Sequence, residues 1–108
     1  MIRIHHAPEQ ILFAVALASD EILRTRVRAG FASYHYVADV STDDLNQAYR
    51  LTNTVEGPWW QNAGVKFLGS AEHGLAGARS TSIGDVLEFV GGACHIVARC
   101  GFVPLNVS

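Results

Sequence analysis

Asp85-Val86-Leu87-Glu88-Phe89-Val90-Gly91-Gly92-Ala93-Cys94-His95-Ile96-Val97-Ala98-Arg99 is the stretch that decides the fold. Two runs of β-branched, aromatic and small apolar residues flank a pair of glycines, the pattern of a β-hairpin. A two-residue turn at Gly91-Gly92 sets Val90 opposite Ala93, Phe89 opposite Cys94, Glu88 opposite His95 and Leu87 opposite Ile96. Side chains alternate along a strand, so Leu87, Phe89, Cys94, Ile96 and Ala98 share the face that packs on helices. Glu88 and His95 then meet on the wetter face, their β-carbons about 5 Å apart.

Upstream, the three-and-four spacing of Ile11, Val15, Ala18 and Ile22, joined by Leu12, Leu23 and Val27, predicts one long amino-terminal helix. Pro8 suits its start and Gly30 its end, and Arg24, Arg26 and Arg28 suit the negative end of its dipole. Phe31–Val40 reads as a strand. Ser41-Thr42-Asp43-Asp44 supplies caps and first-turn acids for a short helix from about Thr42 to Asn53. Residues 54–80 hold five glycines and read as a loop with short extended pieces. The fold class is α+β: long amino-terminal helix, strand, short helix, irregular loop and carboxy-terminal hairpin, in a small antiparallel or mixed sheet. All 108 residues form one domain, a helical element over 1–30 and a core over 31–108.

Composition narrows the function. Hydrophobic residues make up 49% and charged residues 17%, enough apolar matter for a core. A formal charge of −2 supplies no basic field for nucleic acid or an anionic membrane. The apolar run Ile11–Ala18 is too short to span a bilayer; it imitates a signal peptide, yet Glu9 and Gln10 interrupt that pattern. Two cysteines give neither a disulfide framework nor a cysteine zinc site, and two small buried thiols fit a cytoplasmic protein. We expect no cofactor and no metal; His5-His6 reads as a flexible, adventitious metal contact at most.

Three groups of residues carry chemistry. Glu88 with His95 could form an acid–base dyad, more commonly a surface contact. Trp59-Trp60 follows Gly57-Pro58, so one indole anchors the loop while the other offers a binding hot spot. Arg79-Ser80-Thr81-Ser82-Ile83-Gly84-Asp85 gathers an arginine and three hydroxyls, able to cradle an anion through Arg79, Ser80, Thr81 and Ser82 or to form a hydrogen-bonded turn that launches a strand. It lacks the lysine and spacing of a P-loop.

The order of Ala48-Tyr49-Arg50-Leu51-Thr52-Asn53, Pro58-Trp59-Trp60 with Gly64-Val65, Arg79-Ser80-Thr81-Ser82-Ile83-Gly84-Asp85-Val86 and a final strand ending in Gly101-Phe102 resembles the YodL-like domains and related small proteins of bacteria, phages and plasmids. The resemblance covers about Ser33–Leu105, and the amino-terminal helix departs from it. It implies a non-enzymatic accessory module of a mobile genetic element that binds a host protein or defence complex, as anti-restriction and anti-CRISPR proteins do. Candidate contacts are Asp43, Asp44, Trp59, Trp60 and Arg79. The alternatives are a small ligand- or nucleotide-processing enzyme using the Arg79–Asp85 turn with Glu88 and His95, and a structural homodimer formed through the amino-terminal helix.

Overall fold

Ile2-Arg3-Ile4-His5-His6 alternates buried and half-buried side chains and forms strand β1 (Ile2–His6). In a computed structural model, described over residues 1–105, this strand is the middle of the protein. Around it lie α1 (Glu9–Val15), α2 (Asp20–Gly30), β2 (His35–Val40), α3 (Leu45–Leu51), β3 (Val65–Phe67), β4 (Val86–Phe89), β5 (Cys94–Ala98) and β6 (Gly101–Leu105). The six strands make one sheet in the order β3-β2-β1-β4-β5-β6, every pairing antiparallel. The α+β class stands. A flexible start at His5-His6 does not: both histidines belong to the central strand.

The sheet divides the core in two. On one side Ile2, Ile4, Val40, Leu87 and Val97 pack with Ala48 of α3 and with Trp59. On the other, Val86, Ile96 and Val103 pack with Val15 of α1 and with Leu23 and Val27 of α2. The long amino-terminal helix is therefore two helices. At 1.5 Å per residue a helix over 9–30 would run about 33 Å, matching the longest dimension of the molecule. Folding back at residues 16–19 lets both halves bury apolar side chains in one cluster. Ser19 caps the second half by accepting a hydrogen bond from the Ile22 amide, with Asp20 and Glu21 in the first turn.

The expected strand at Phe31–Val40 is shorter, because Phe31–Ser33 forms a 3₁₀ turn. The short helix also contracts, to Leu45–Leu51, and its cap is the Asp44 carboxylate, which accepts from the amides of Asn46 and Gln47. The 54–80 segment contributes one edge strand, β3.

The hairpin forms with its register moved by one residue. The Phe89 amide donates to the Ala93 carbonyl and the Gly92 amide to Phe89, leaving Val90-Gly91-Gly92 as a three-residue turn with Gly91 at φ +85°. The pairs are Val86 with Ile96, Leu87 with His95 and Glu88 with Cys94. A slip of one residue carries a strand's side chains to the opposite face. Leu87 thus shares its side with Val97, and Glu88 shares the other with Cys94 and Ile96. Glu88 and His95 are separated by the sheet, and no dyad forms between them.

Instead Glu88 belongs to a rung that crosses four strands. Lys66 opposes Asp39, Asp39 opposes Arg3, and Arg3 opposes Glu88, giving charges of alternating sign. The Arg3 guanidinium lies 5.5 Å from the Tyr36 ring centroid, and His5 Nε2 lies 2.9 Å from Glu88 Oε1.

Candidate functional site

The Arg79–Asp85 turn connects the two halves of the sheet and does so around an anion supplied by the chain itself. Asp85 is fully buried. One of its oxygens accepts from the Ala7 amide at 2.8 Å and from Arg79 at 2.7 Å; the other accepts from Arg79 at 2.6 Å and from the Ser82 amide at 2.7 Å. The guanidinium also donates to the carbonyls of Ser80 and Ala7. A buried carboxylate needs this number of donors.

Thr81, fully buried, also faces inward. Thr81 Oγ1 lies 3.1 Å from His6 Nε2, its amide donates to the Thr52 carbonyl, and its carbonyl accepts from Asn53. The Ser82 hydroxyl donates to Ser80. Of the expected anion cradle only Arg79 and the Ser82 amide reach the carboxylate of Asp85; the Ser80 carbonyl accepts from Arg79, and Thr81 bonds elsewhere, so the segment is a hydrogen-bonded turn that launches β4. His6 lies against it, 6% exposed, and burial pulls its pKa down to about 4. Burial likewise raises the pKa of the Tyr34 hydroxyl, which donates to the Gly84 carbonyl.

Trp59 is 2% exposed, and its indole donates to the carbonyls of Ala78 and Arg79. It anchors the turn from the core side and offers nothing to a partner. Trp60 is half-buried between Phe67 and the loop, where a β-carbon on Gly77 would come within 2.7 Å of its ring. Asp44 caps α3, while the exposed Asp43 accepts from the Met1 amino group at 2.8 Å.

Cys94 is buried and Cys100 exposed at the β5–β6 turn, both free, so only one of the two expected buried thiols is buried. Burial, and secondarily Glu88, raises the Cys94 pKa and keeps it a thiol. Among the described residues no group of three or more His, Cys, Asp or Glu is placed to hold a metal ion. No helix among them is long and apolar enough to cross a membrane.

One exposed apolar surface lies along α1. Phe13 is 76% exposed and Leu17, in the turn after the helix, 81%. Beside them run two hollows that share Leu12 and Phe13. One, of about 370 Å³, is also lined by Glu9, Glu72, His73 and Arg79; the other, of about 470 Å³, by Ala16, Tyr49, Ser82 and Ile83. Sequence reasoning missed this surface because the apolar run Ile11–Ala18 reads as wholly buried within one long helix. The Ser19-Asp20-Glu21 cap was the signal that the run ends in a turn, where Leu17 has no core to enter.

These features define an α+β sheet protein with an internally neutralised turn and an apolar groove along its first helix. Neither a protein-family model, nor a curated protein, nor a solved structure matches the chain.

Proposed function

We propose that the chain is a non-enzymatic, cytoplasmic protein-binding module of a mobile genetic element that inhibits a host defence system by occupying one of its proteins. The observation that carries the binding part is the exposure of Phe13, which lines both hollows along α1, with Leu17 exposed in the turn after the helix. Large apolar side chains clustered at a concave surface serve contact with another macromolecule, since burying each yields about 1.5–3 kcal/mol. The mobile-element setting rests on the resemblance of the 48–53, 58–65 and 79–86 blocks to the YodL-like domains. Glu88 and His95, two of the residues on which the enzyme reading drew, lie on opposite faces of the sheet.

The test is capture of a protein from a bacterial host lysate by the tagged chain and by a Phe13→Asp/Leu17→Asp variant. Both positions are exposed, so the variant should melt like the parent. A stoichiometric complex that the variant loses supports the module and names its target. A complex indifferent to both substitutions, or none with defence systems expressed, overturns it.

A further inference from the structure

We propose that the α1 groove receives a short amphipathic segment of the partner, its apolar side chains seated on Leu12, Phe13, Ala16 and Ile83 and its lysine or arginine held between Glu9 and Glu72. This rests on the protein-binding reading above and adds the chemistry of the occupant. The two hollows adjoin at Leu12 and Phe13, one bordered by Ile83 and the other by Glu9 and Glu72.

Neither carboxylate takes part in a hydrogen bond or ion pair among the described residues. The only guanidinium in that hollow, Arg79, is already held by both oxygens of Asp85. With the charge of Arg79 offset by Asp85, Glu9 and Glu72 give that hollow a negative bias, which attracts a cationic side chain and repels an acidic one.

The experiment pans a phage-displayed library of random peptides against the protein, then titrates the enriched sequences as labelled synthetic peptides. Enriched peptides should carry Lys or Arg beside paired apolar residues. Their affinity should drop about tenfold in Glu9→Gln/Glu72→Gln, drop again with added salt, and be lost in Phe13→Asp. Peptides without basic residues, affinity untouched by the glutamine variant, or no enrichment at all would each overturn the proposal. So would a concentration-dependent dimer abolished by Phe13→Asp, which would put a second copy in the groove. Charge-blind peptides that Phe13→Asp still abolishes would overturn the charge preference while leaving the module reading in place, so the two failures are distinguishable.

Discussion

His6 contributes a pH dependence whose sign follows from its burial. An exposed histidine titrates near 6.5, and burial lowers His6 to about 4. Between those values the unfolded chain holds a proton that the folded chain refuses. Stability contributed by neutral His6 is therefore complete above pH 6.5 and declines, by on the order of 3 kcal/mol, as pH falls to 4. Chemical denaturation across that range should show the decline, and His6→Gln should flatten it.

Arg79 offers a sharper test at the same scale. Arg79→Ala strands a buried carboxylate, a change that costs about 3–5 kcal/mol, and Arg79→Lys cannot restore the two-pronged contact. A fall of the unfolding midpoint in both variants is the expected outcome. The turn itself was legible, because hydroxyls beside Gly84 favour a hydrogen-bonded turn that launches a strand. The anion was not, since nothing in the local composition distinguishes Asp85 entering the core from Asp85 capping a strand.

At the scale of elements, the hairpin was legible and its register was not. Gly91-Gly92 fits a two-residue turn as well as a three-residue one, and only the demand for Val86, Cys94 and Ile96 on one side decides between them. β1 was legible in principle from the alternation of Ile2 and Ile4 with Arg3 and His5, but five residues give a weak signal beside a long apolar helix. The charged rung needs the assembled sheet, since its members come from four strands. Arg3→Glu would place three carboxylates in succession with Asp39 and Glu88. Cross-strand pairs are worth about 0.2–1 kcal/mol each, so reversing two should cost about 1–2 kcal/mol. Urea titration should show that loss, and Arg3→Glu/Glu88→Arg should recover part of it.

Over the whole molecule the chain builds outward from its first strand: β2 and β3 are added on one side, β4, β5 and β6 on the other. Composition and patterning conveyed the class, but the position of β1 depends on pairings such as Arg3 with Glu88 that join the two ends of the chain. Contacts so distant in sequence slow folding, because their loop must close before they stabilise anything. Asp85 closes the same loop by a second route, taking the Ala7 amide from 78 residues away. It acts as a non-covalent clasp. The amides of Ala7 and Ser82 lie outside helix and strand, where exchange with solvent deuterons is ordinarily fast, yet both are fastened to a carboxylate that water does not reach. Their exchange should proceed only on global unfolding, at the pace of the central strands, and Arg79→Ala should release both amides together. The slowest clock in this protein would then tick partly in its loops.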